Sequence, residues 1–172
     1  MPLLIFAVAG VALWYFSTKS IDTTTPDDNS RLGDDMSSKD LSLIDSSVSY
    51  LIDELGQPYV WGDNDCSEWL LRVARANGLC PADWPDMNTL GIANACDKVE
   101  IGYQEPGDFA YYNGHVMMVC SYPIESNGNH SAVVGMSGGG RGTDGTDPNA
   151  CVKLFDRANY RSDFVCYMRP KP

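Results

Sequence analysis

The hydrophobic pattern of this chain changes period once, near Pro106-Gly107, and that change restricts the fold more than any other feature. Before it, Leu41, Leu43, Ile44, Val48, Leu51, Ile52 and Leu55 recur at three- and four-residue spacing. This predicts one amphipathic helix, opened at Asp40 and ended by Gly56. A second helix is predicted from Cys66 to Asn77, where Trp69, Leu70, Val73 and Ala74 form a stripe and Gly78 stops it. Residues 80 to 105 lack clean periodicity and predict loops, with a short helix near Thr89 to Ala95. Beyond Pro106-Gly107, strand signals follow at Asp108 to Tyr112, His115 to Tyr122, Ala132 to Met136, Val152 to Phe155 and Phe164 to Met168. Helices first and strands later predict an α+β fold, with N-terminal helices packed on an antiparallel β-sheet. There is no internal repeat.

The first 39 residues read differently from the rest. Leu3 to Phe16 is apolar apart from Gly10, and Met1 to Thr18 carries no charge. As a helix the block is about 21 Å long, short of the roughly 30 Å hydrocarbon core, a gap that neutral flanks and bilayer thinning can close. Trp14 and Tyr15 suit an interfacial belt. We expect residues 1–18 to be an N-terminal membrane-anchor helix; a cleaved signal or a buried helix is the alternative. Residues 19–39 are polar and acidic, and predict a flexible tether or an arm lying on the domain. Residues 40–172 then form the folded domain.

The whole chain holds 12 basic and 23 acidic side chains, for a net charge of −11. Phosphate binding needs clustered Lys and Arg, so a nucleic-acid partner is excluded, as is a polybasic membrane-surface module. Six cysteines without a CxxC pair, and two histidines without HExxH, give no signature of structural zinc or a zinc peptidase. Disulfides Cys80–Cys96 and Cys151–Cys166 are guesses from proximity; all cysteines reduced is the default expectation.

The chemistry concentrates in two stretches. In Gly56 to Leu71, the turn residues Gly62, Asp63 and Asn64 precede Cys66, and the helical stripe follows it. A thiol at a helix N-terminus faces unpaired N–H groups and the helix dipole, so its pKa is expected to fall and its thiolate to serve as a nucleophile. In Pro106 to Cys120, His115 opens an apolar strand after Asn113-Gly114 and can serve as the base. On these residues alone, an inert buried cysteine and a histidine satisfied by a backbone carbonyl are the stronger expectation.

The run P-Y-V-W-G, then D-C-S and an amphipathic helix, then P-G-D-F-A-Y-Y and G-H-V, resembles the NlpC-type papain-like cysteine peptidases over roughly residues 41 to 170. The resemblance implies a papain-like core with Cys66 as nucleophile and His115 as general base. It places Tyr59, Asp65 and Ser67 in the substrate pocket, holding the substrate's amine end, and Trp61 as packing beneath the site. It implies hydrolysis of peptidoglycan stem peptides without a cofactor. With the anchor, it implies an enzyme of a bacterial envelope or of a membrane-containing phage virion. A catalytically inactive structural protein and a thiol acyltransferase relative are the competing expectations.

Several positions depart from that pattern. Glu68 stands where the family carries Gly after D-C-S, and either perturbs the thiol or points to solvent. The third catalytic position falls near Gly135, which cannot orient an imidazole. His130 and Ser137 are the side chains considered for that role, with a backbone carbonyl or water as the other possibility. The glycine-rich segment Ser137 to Asp147 lacks the helix and lysine of a phosphate loop and the spacing of a calcium loop. It is expected to be a mobile loop beside the cleft, acting as a lid, with Arg141 facing a substrate carboxylate or solvent. Trp84, Tyr103, Tyr111 and Tyr112 are expected mostly in the core or at the rim.

Overall fold

The computed structural model describes residues 38–172. The expected anchor at 1–18, and all of the tether but its last two residues, lie outside this range. Among the described residues, no helix is long and apolar enough to cross a membrane.

The first expected helix is broken into pieces. Helix α1 spans Ser38–Leu41, a 3-10 turn spans Ser46–Val48, and α2 spans Leu51–Glu54. The break is at Asp45. Its carboxylate accepts from the Ser47 N–H at 2.9 Å and from the Ser47 hydroxyl at 2.7 Å. Its own N–H donates to the Cys120 carbonyl at 2.7 Å. Asp and Ser compete locally for backbone partners, so they interrupt a helix that the apolar spacing alone would continue. The apolar set still faces inward, since Ile44, Val48 and Leu51 are buried.

The second helix forms as expected. Helix α3 runs Cys66–Ala76, and Gly78 follows it at φ 68°. The Leu79 N–H returns to the Ala74 carbonyl at 2.9 Å, closing the helix end. Trp69, Leu70, Leu71, Val73 and Ala74 are buried along it. Helix α4 spans Thr89–Ala95, capped by the Asn88 side chain on the Gly91 N–H.

Six strands follow: β1 Cys96–Val99, β2 Phe109–Tyr112, β3 His115–Val119, β4 Val133–Ser137, β5 Cys151–Phe155 and β6 Phe164–Pro170. They form one sheet in the order β1-β6-β2-β3-β4-β5, and every adjacent pair is antiparallel. Helix and antiparallel sheet therefore combine as the period change requires. Strand β1 is an addition to the expected set. It is an edge strand, follows α4 without a break, and carries Asp97 and Lys98 outward, so it lacks both a turn signal and an apolar run.

The sheet is covered on both faces, which is why all five residues of β3 are buried. Val116, Met118, Val134, Met136 and Val152 face α3 and the N-terminal pieces. Ala110, Tyr112, Met117, Val119, Val133 and Tyr167 face the other way, under Ala158, Tyr160 and Phe164.

All six cysteines are free. Cys151 on β5 and Cys166 on β6 sit at opposite sides of three intervening strands. At about 4.8 Å per strand step they are far outside the Cα separation a disulfide allows, so that guessed pairing is excluded.

Candidate active site

Helix α3 is anchored at its start by Asp65. One carboxylate oxygen accepts from the Ser67 N–H at 3.0 Å, the Glu68 N–H at 3.2 Å and the Ser67 hydroxyl at 2.8 Å. The other accepts from the Gly62 N–H at 3.3 Å, which ties the preceding turn to the helix. This N-cap fixes Cys66 as the first helical residue. The Cys66 side chain lies against the sheet, and the nearby Val116 N–H on β3 favours its thiolate.

His115 is the first residue of β3, and its register partner is Tyr112 across the two-residue turn Asn113-Gly114. A bulge in the β2–β6 pairing falls between Tyr111 and Tyr112, beside this turn. The imidazole is tilted against the Tyr112 ring, centroids 5.6 Å apart. It is only 8% exposed, and its Nε2 is buried with no hydrogen-bond partner among the described residues.

Cys66 and His115 line one cleft of about 230 Å³, together with Tyr59, Trp61, Ser137 and Arg161. The Gly138–Gly140 segment forms its remaining wall. Gly139 lies flat on the Tyr59 ring, and a Cβ there would run into that ring. The glycine-rich loop is beside the cleft as expected, but it is tied down. Val60 and Asp144 form a β-bridge, and the Trp61 N–H donates to the Thr143 carbonyl at 2.9 Å.

The electrostatics differ from the sequence expectation. Burial pushes the Cys66 thiol up, outweighing the nearby backbone N–H groups, and the Asp65 charge adds to the rise. Burial pushes His115 down to about 4, helped by the positive charge of Arg161 and opposed by Asp163 and Asp65. The resting pair at neutral pH is therefore thiol and neutral imidazole, not thiolate and imidazolium.

A pH prediction follows from these directions. The unfolded chain binds the His115 proton near 6.5 and the folded chain near 4. Stability contributed by the neutral ring is present above 6.5 and falls as pH drops through the window from 6.5 to 4. The base stays competent over the same window, so any acid limb assigned to it sits near pH 4. An NMR titration of the His115 ring checks this directly, and a midpoint near 6.5 would contradict it.

The structure places the other expected site residues as follows. Tyr59 lines the cleft, whereas Asp65 and Ser67 are joined to each other in the helix cap and are not among its lining residues. His130 is remote from the imidazole. Its Nδ1 is 3.1 Å from the Tyr167 hydroxyl, and its ring packs on Phe164, which in turn packs on Tyr112. Two aromatic rings thus separate it from His115, and it cannot orient that ring. Gly135 packs on Met117, which would have to shift by a few tenths of an ångström to admit a Cβ. Ser137 reaches the cleft near the Tyr160 hydroxyl, which itself donates to the Met117 sulfur at 3.4 Å. Trp61 is 51% exposed at the cleft rim, not beneath the site. Glu68 is absent from the cleft and from the charges acting on the thiol; its own carboxyl is pushed up by partial burial and by Asp86. Arg141 is exposed and outside the cleft. Arg161 is there instead. It lies in the connection between β5 and β6, where neither periodicity nor motif singles it out. Among the described residues, no cluster of three or more His, Cys, Asp or Glu is arranged to hold a metal.

The fold and site together define an α+β protein with a cysteine and a histidine sharing a sheltered cleft. No protein-family model matches the chain, and no curated protein matches it. Among solved structures, it is similar to a crystal structure described as similar to lipoprotein, NLP/P60 family, from Staphylococcus aureus subsp. aureus Mu50. The identity is 12% and the TM-score 0.49, over 80% of this chain and 43% of that one. The chain thus spans less than half the length of that neighbour, and a likeness of this grade assigns neither activity nor substrate.

Proposed function

We propose that this protein is a papain-like cysteine hydrolase of peptide amide bonds, acting on peptidoglycan stem peptides at a bacterial envelope or virion membrane. One observation carries the reading: Cys66 and His115, 49 residues apart in sequence, line the same cleft. A nucleophile and a base are useless to each other unless the fold does this.

The proposed chemistry uses the neutral pair. As the Cys66 sulfur attacks the scissile carbonyl, His115 takes the thiol proton. The Ser67 and Glu68 N–H groups are engaged by Asp65, and the Trp69 N–H by the Asp65 carbonyl at 2.9 Å. Among the described residues, the Cys66 N–H has no oxygen partner, so it is the donor for the developing oxyanion. The imidazolium then protonates the leaving amine. Water, deprotonated by His115, hydrolyses the thioester and restores the thiol. Membrane attachment through residues 3–16 belongs to the same proposal and would hold the domain near the wall peptides.

The test is to incubate the purified protein with peptidoglycan beside its Cys66→Ala variant. Release of new amines or muropeptides by the native protein alone supports the hydrolase. Equal release by both favours an inactive structural protein. Acyl transfer to Cys66 without hydrolysis favours an acyltransferase.

A further inference from the structure

Among the described residues, Arg161 is the only charged one lining the cleft, in a chain whose net charge is −11. Its placement is constrained. Nε donates to one Asp163 oxygen at 2.9 Å and one terminal nitrogen to the other at 2.6 Å. The guanidinium carbon stands 5.4 Å from the Tyr112 ring centroid, over the ring that also flanks His115. A forked pair plus a stacked ring holds a guanidinium in one orientation, and the other terminal nitrogen is outside the Asp163 fork. Arg161 therefore presents its charge to the cleft, while Asp163 does not line it but is close enough to act on His115. Arg161 remains partly exposed, with 36% of its side chain accessible, so an incoming group can reach it.

From this arrangement we infer that Arg161 is a specificity-determining residue, which selects substrates bearing a carboxylate close to the bond that Cys66 attacks. The inference rests on the hydrolase reading for the word substrate, but not for the binding property. A planar fork pairs with a carboxylate better than with an amide or a hydroxyl. Among the described residues, no carboxylate lines the cleft itself.

The test reads the cleft without turnover. Iodoacetate and iodoacetamide alkylate a cysteine by the same displacement: the sulfur–carbon bond forms, iodide leaves and the thiol proton is released. They differ in that the first carries a carboxylate. Full-length protein is treated with each, and modification of Cys66 is followed by peptide mass mapping. Rates are normalised to a small free thiol. The iodoacetate-to-iodoacetamide ratio is expected to exceed that of the free thiol and to shrink at high salt. Arg161→Gln is expected to lower the ratio about fivefold, and Arg161→Lys, which keeps the charge but loses the fork, to recover part of it. An unmoved ratio in Arg161→Gln overturns the inference, as does an equal loss in Arg161→Lys. Should Arg161→Gln fail to fold, a salt-independent ratio in the native protein overturns it as well. Hydrolysis with an Arg161-independent ratio would sink this inference alone. An Arg161-dependent ratio without hydrolysis would sink the proposed function alone.

Discussion

Replacing His115 with glutamine is expected to lower amide hydrolysis by about 10²- to 10⁴-fold, the range general-base catalysis supplies. Glutamine is close in size, so the buried position at the start of β3 stays filled. The loss is then chemical and not a failure to fold, which circular dichroism checks. The reason the effect is large lies in the resting protonation states. Burial holds the Cys66 thiol protonated at neutral pH, so little thiolate exists without a partner to take the proton. Burial also holds His115 neutral, with its pKa near 4, which makes it an available acceptor across the whole physiological range. Without the imidazole, residual activity depends on spontaneous thiol ionisation. Its rate should climb with pH into the alkaline range and lose any acid limb near 4. Unchanged hydrolysis in His115→Gln would show that the base is another group, and the shared cleft would lose its mechanistic meaning.

The histidine also shows where sequence reading stops. The motif residues placed Cys66 at a helix start and His115 at a strand start, because turn residues and apolar periodicity mark both boundaries. Their convergence is a property of the tertiary fold; a 49-residue separation carries no such information, and only the family resemblance pointed to it. The thiol shift was misjudged in sign because sequence reveals the helix N-terminus but not how deeply the sulfur is buried. The broken first helix was missed because the apolar spacing survives the break while Asp45 redirects the backbone. Arg161 was invisible because its value depends on Asp163, Tyr112 and the cleft wall together. The lone Nε2 of His115 fits the absence of a usable side chain at Gly135. The imidazole is held by packing on Tyr112 and by burial.

That dependence on packing makes the support of α3 decisive, and Trp69→Ala is expected to destabilise the protein by about 3–5 kcal/mol. Trp69 is fully buried on the inner side of α3, one turn after Cys66. Its Nε1–H donates to Glu54 at 2.9 Å, and Arg72 pairs with the same carboxylate at 2.8 Å. The indole thus joins α3 to α2 and fills the core between them. Truncation leaves a cavity and removes one donor, but Arg72 still holds Glu54, so the carboxylate is not stranded. The cost should therefore be dominated by lost packing. Trp69→Phe separates the two contributions: it keeps most of the ring volume and loses the donor, and should cost about 1–2 kcal/mol. Urea denaturation followed by circular dichroism measures both, since the substitutions change the fluorophore. Equal losses in the two variants would assign the effect to the Glu54 hydrogen bond. A loss below about 1 kcal/mol in Trp69→Ala would mean that α3 is held elsewhere. In that case the N-cap at Asp65 and the sheet contact at Val116 would have to fix the Cys66 sulfur on their own.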